Sequence, residues 1–194
     1  MEYRILNIEH ILGHVINENK DSFMALSPTK NISYSWGDQQ ELNQWIIAKN
    51  SDIAGKRAFA IKNTSKYPLI WLITPYDGNI LLKENVIPSI KFIICSDTQG
   101  EWLNSTREKE TMPFLIDIAN NLIEVISRHK NTSIINKASN PISFKKVYNY
   151  PVSKTVENVE QVPEAETLDI WDAVTLKFDI KIDDNCLKNL KSCQ

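Results

Sequence analysis

His10 and His14 stand four residues apart in "EHILGH", the spacing that lets two imidazoles on one helix share a metal ion. A hydrolytic zinc motif also needs a Glu directly after the first His, and Ile11 occupies that position. Both His lie off the apolar stripe around them, so an ordinary solvent-facing pair is expected. A second candidate is "FDIKID", in which Asp179 and Lys181 resemble the D/E-x-K arrangement of metal-dependent nucleases. There a carboxylate holds Mg²⁺ and a Lys sits near the phosphate. Asp169 or Asp172 would have to supply the upstream acid. Yet Asp179, Lys181 and Asp183 fall on the polar face of an alternating strand, where charges are expected without any chemistry. Cys95 lies inside an apolar strand, where a thiol packs rather than reacts. A triad would draw on His10, His14 or His129, all expected on helix surfaces. No catalytic residue, metal or cofactor is assigned on these grounds, and the residues favour a binding or structural role over an enzyme.

Charge is distributed unevenly. Residues 128–146 hold Arg128, Lys130, Lys137, Lys145 and Lys146 with no acid, whereas residues 151–169 set Glu157, Glu160, Glu164, Glu166 and Asp169 against Lys154 alone. The basic stretch has only Phe144 and Tyr148 nearby for stacking on a single strand, which is thin support for nucleic acid. A solvated connection after a helix C-terminus, where cations suit the dipole, accounts for it more simply. The acidic stretch contains two Pro and no apolar cluster, so a long exposed loop is expected over about 149–168.

The elements that must position these residues follow from periodicity. Ile8, Ile11, Leu12, Val15 and Ile16 repeat with helical spacing, predicting an amphipathic helix over about 6–20. "NISYSWGD" alternates as a half-buried strand, and Asp38 followed by Glu41 reads as a capping box opening a helix that buries Leu42, Trp45 and Ile46. In the strand Tyr67–Thr74, Tyr67, Leu69, Trp71 and Ile73 point one way while Pro68, Ile70 and Leu72 point the other, so both faces need cover. Val86–Asp97 is a second such strand. The stretch from Thr98 to Glu110 reads as a polar loop. Thr111 is placed to cap a second long helix, with Pro113 in its first turn and Leu115, Ala119, Leu122, Ile123 and Ile126 as its stripe. Over 169–183, Ile170, Val174, Leu176, Phe178, Ile180 and Ile182 share one face and only Asp172 breaks it. That strand is expected to be antiparallel or at an edge, with one face wet. The sum is one mixed α/β (α+β) domain over 1–194, with a largely antiparallel sheet of four to five strands flanked by two long helices.

Composition narrows the classes. The chain has 194 residues, 24 acidic against 22 basic for a net charge of -2, so no global pull toward nucleic acid or anionic lipid is expected. No apolar run reaches the roughly 20 residues of a membrane helix. The N-terminal residues show no cleavable apolar region, so no secretory signal is expected. Three Cys without a C-x-x-C pair point to free thiols in a reducing compartment, and five Gly at no nucleotide-loop spacing exclude a phosphate cradle of that kind.

The order of segments carries one further reading. "YPLIWLITPYDG", "IKFIICSDTQGEW", "STREKETMPFLIDIANNLIEVISRH" and "LDIWDAVTLKFDIKI" together resemble the tail-completion or tail-terminator proteins of tailed bacteriophages, over about residues 66–182. The resemblance rests on the Tyr-Pro-apolar run from Tyr67 to Leu72, on Arg107-Glu108 ahead of Pro113 and Leu115, and on Leu168, Asp169, Asp172 and Ala173. The chain departs from the family pattern between Lys137 and Pro163. The resemblance implies a small α/β virion protein, made in the host cytoplasm, that forms a ring in the neck between portal and tail. It implies copies of itself and portal, adaptor or tail proteins as partners, with genomic DNA passing through unread and no membrane. In such a ring Lys137, Lys145 and Lys146 of one subunit are candidates to meet Glu157, Glu160 and Glu164 of the next. The alternatives are a metal-dependent phage nuclease using Asp179 and Lys181, and an assembly adaptor absent from the virion.

Overall fold

An alternating run as long as 170–183 can pair along its whole length, and it becomes the spine of the sheet. The computed structural model describes residues 7–42, 67–81, 84–99, 101–136, 138–150 and 170–183. Seven strands lie among them: β1 Ser33–Gly37, β2 Leu69–Ile73, β3 Asn79–Leu81, β4 Glu84–Thr98, β5 Thr132–Ile135, β6 Ser143–Tyr150 and β7 Ile170–Asp183. The helices are α1 Ile8–Glu18, α2 Lys20–Leu26, α3 Asn104–Glu110 and α4 Met112–Arg128, and residues 39–42 open a fifth. β4 and β7 form a long antiparallel ribbon, Glu84 opposite Asp183 and Thr98 opposite Ile170. β2 and β3 add to the free side of β4, β1 joins β2 in parallel, and β5 and β6 share the free side of β7.

Several expectations change here. The sheet has seven strands rather than four or five; β7 is antiparallel to all its partners, as expected, and lies inside the sheet. The additional strands are short or charged: β3 sits behind the Pro75–Gly78 turn, while β5 and β6 occupy the stretch read as a solvated connection. β5 and β6 have their ladder partners on β7, far along the chain, so no local apolar signal marks them, and β3 pairs with β4 over only three residues. The presumed polar loop contains α3. Thr111 makes no side-chain capping bond because its backbone is already helical, continuing the turn that joins α3 to α4. The first helix stops at Glu18, where Asn19 turns its side-chain amide back to the Val15 carbonyl at 2.8 Å, and α2 begins at once.

Other expectations hold. Asp38 and Glu41 cap reciprocally: Glu41 N donates to Asp38 Oδ1 at 2.7 Å and Asp38 N to Glu41 Oε2 at 2.8 Å. β2 is covered on both faces. Ile70 and Leu72 join the core under α1, α2 and α4, with Phe92, Ile94, Val174, Leu176 and Phe178. Tyr67, Leu69 and Trp71 pack on the opposite face with Leu42, Ile93, Cys95, Trp171 and Ala173. Trp71 is 1% exposed and donates its indole N–H to the Gly37 carbonyl at 2.9 Å. Gly37 has φ +149°, and a Cβ there would stand 2.8 Å from Trp71 Cζ2, so only Gly lets β1 close over that ring. Trp45, Ile46 and residues 151–169 lie outside the described residues, whereas residues 149 and 150 belong to β6.

A bulge sets the phase of β4. Ile87 faces Ile180 and Ile90 faces Phe178, so Pro88 and Ser89 together oppose Asp179. Odd-numbered β4 residues point to the helix layer before the bulge and even-numbered ones after it. Ser89 takes a left-handed backbone, φ 57°, and its N–H is bound by Asp179 Oδ1 at 2.8 Å.

Candidate functional site

Asp172 breaks the apolar face of β7 because a cation waits on the helix layer opposite. Arg107 of α3 is 0% exposed and Asp172 is 0% exposed, and Arg107 Nη1 lies 2.7 Å from Asp172 Oδ1. The rest of the guanidinium is bound by backbone: Nε donates to the Trp102 carbonyl at 2.9 Å and Nη2 to the Gln99 carbonyl at 2.7 Å. A buried pair of this kind gains little net stability over an apolar one, but either partner alone would be an uncompensated charge. Beside it, Glu108 accepts from Lys146 Nζ at 2.7 Å and from the Tyr148 hydroxyl, fastening α3 to β6. The bonds to Lys146 and then to Tyr148 hold the Glu108 carboxyl below its ordinary pKa. The bond to Glu108, with some burial, pushes the Tyr148 phenol up to about 12. The sequence marked Asp172 as an anomaly without revealing its partner, since nothing local distinguishes Arg107 from its solvated neighbours.

The candidates for chemistry have other tasks. Asp179 Oδ1 accepts from Ser89 N and from Asn140 Nδ2 at 2.6 Å, and Lys181 Nζ lies 2.5 Å from Glu84 Oε1. Asp172, the proposed upstream acid, is bound to Arg107 in the core, while Asp169 lies outside the described residues. His10 is exposed and packs its ring 5.3 Å from that of Trp36, while His14 reaches Glu18 at 3.1 Å. His129 departs from expectation: it closes the C-terminus of α4 and its side chain is only 13% exposed. Burial is the main cause of its lowered pKa. Cys95 is core. Among the described residues no group of three or more His, Cys, Asp or Glu is placed to hold a metal.

Of the residues expected at a subunit contact, Lys137, Glu157, Glu160 and Glu164 lie outside the described residues. Lys146 is engaged by Glu108, and Lys145 is exposed. Lys145 turns out to share the sheet face away from the main helix layer with two lysines that the sequence did not bring together. Lys91 and Lys177 are direct cross-strand partners on β4 and β7, and Lys145 sits one strand further, opposite Thr175. All three are exposed. They line a groove of about 550 Å³ that crosses the sheet, walled by Ile73, Pro75 and Tyr76 on one side and by Ser143 and Phe144 on the other, with Asp77 at its rim. Phe144 is 67% exposed. Burial, and next its bond to Glu9, raises the Tyr76 phenol pKa. The groove combines point cations with apolar walls and can hold an anionic chain that also carries apolar side chains. Finding Lys91 and Lys177 in advance would have required the β4–β7 register, which the bulge hides.

No family model matches the sequence, and no curated protein matches it.

Proposed function

We propose that the chain is a structural virion protein of a tailed bacteriophage, a ring-forming neck or tail-completion component acting between portal and tail, and not an enzyme. One observation carries this reading: the positions on which the family resemblance rests do scaffold work. Arg107 and Asp172 lock α3 to β7, Glu108 ties α3 to β6, and Tyr67, Leu69 and Trp71 seal the face of β2 away from the main helix layer. A frame held this way keeps its shape while its surfaces meet neighbours, which is what a ring subunit requires. The partners in this reading are copies of the chain and portal, adaptor or tail proteins, and a near-neutral charge lets DNA slide past. The nuclease alternative has less support, since Asp179 and Lys181 are both held by neighbours.

Mass spectrometry of purified particles of the encoding phage should find the chain as a stoichiometric component. Negative-stain images of the recombinant protein at high concentration, or mixed with its neck neighbours, should show rings. Absence from particles would overturn the proposal in favour of an assembly adaptor, and DNA cleavage abolished by Asp179→Ala would favour the nuclease.

A further inference from the structure

We infer that the open sheet face around Lys91, Lys145 and Lys177 is the receptor for an extended acidic peptide segment of a partner polypeptide. The first observation is a local conflict. Lys91 and Lys177 stand directly opposite each other in an antiparallel pair, an arrangement in which like charges repel. Both are exposed, and no ion pair within the described residues relieves either of them, nor Lys145 diagonal to Lys177. An anion lying between the strands turns this repulsion into attraction.

The second observation is the groove's form. It crosses β4, β7 and β6 between the Pro75–Asp77 turn and Phe144. Three strands at about 4.8 Å spacing span the length of three or four extended residues. Phosphodiester backbone fits poorly. A duplex is too wide to enter, Asp77 repels a continuous line of phosphates, and the planar fork of Arg is missing among the three cations. A peptide that alternates carboxylates with small apolar side chains fits on both counts, its acids on the lysines and its apolar groups against Ile73 and Pro75. The ring reading bears only on whose segment this is. Binding itself belongs to the groove.

The test uses the full chain and a fluorescein-labelled Glu-Val-Glu-Val-Glu peptide, read by anisotropy, with an oligothymidylate of equal charge in parallel. Saturable peptide binding is expected, weakening as salt rises from roughly 0.05 to 0.5 M because exposed charges are screened over that range. Lys91→Thr with Lys177→Thr should weaken it by about tenfold or more, the loss of two favourable charge contacts. The same variant should melt no lower than the parent, because a repulsion has been removed. Lys91→Glu with Lys177→Glu should instead acquire affinity for a Lys-Val-Lys-Val-Lys peptide. Peptide binding that is absent, or unchanged in both variants, overturns the inference, as does tighter binding of the oligothymidylate that is lost with the same substitutions. A peptide-binding chain that is absent from virions would overturn the ring and leave the groove intact.

Discussion

Arg107 and Asp172 neutralise one another where water does not reach, so each depends on the other more than the fold depends on the pair. Arg107→Ala or Asp172→Ala should each lower stability by about 3–5 kcal/mol, the penalty of stranding one buried charge. Arg107→Met with Asp172→Leu should cost clearly less than the two single changes added together, and urea denaturation of the four proteins measures that difference. Strict additivity would show that the two side chains act independently. Titration offers a second test at this scale. His129 has a folded pKa below its ordinary 6.5, so the unfolded chain takes up the proton first. Its contribution is full above that value and is lost as pH falls through the folded one. Glu108, also depressed, acts the same way but below its ordinary 4.5. Melting curves against pH should therefore lose their slope just below neutrality in His129→Gln and only in the acid range in Glu108→Gln.

Among the elements, the β4 bulge is the one whose chemistry is easiest to mistake. Asp179 faces two residues instead of one, and its carboxylate binds the N–H of left-handed Ser89. Asp179→Ala should destabilise by about 1.5–3 kcal/mol, the range for hydrogen bonds to a charged acceptor. Adding Ser89→Gly should recover part of that loss, because Gly adopts the left-handed backbone without strain. Guanidinium denaturation would read both, and an Asp179→Ala protein as stable as the parent would remove the anchoring role. The sequence disclosed β7 and α4 because their apolar spacing is long and regular, and β2 because its short run is apolar on both faces. It concealed β5 and β6, whose lysines and serines look solvated until β7 is placed beside them. It also concealed the bulge, because nothing local in "VIPSIKF" says that Pro88 and Ser89 share a single partner on a distant strand. The groove lysines stayed separate for the same reason, since Lys91 and Lys177 meet only through a long-range register.

At the scale of the whole molecule, β7 is the shared partner of three strands, and each of those pairings spans a long interval of sequence. A chain ending at residue 169 leaves β4, β5 and β6 without their common neighbour and should be unfolded by circular dichroism, although it retains every described helix. Native-like dichroism in that truncation would show that the sheet has another nucleus. Closing such large loops before any contact rewards them also makes folding slow. This gives the position of β7 a meaning for biosynthesis. It is the last of the described strands to leave the ribosome, and it carries Thr175, Leu176 and Lys177, the floor of the groove. An unfinished chain therefore has no groove to offer. The surface becomes available only when the strand that completes the core has been made, so a truncated translation product is silent toward any partner that reads that face.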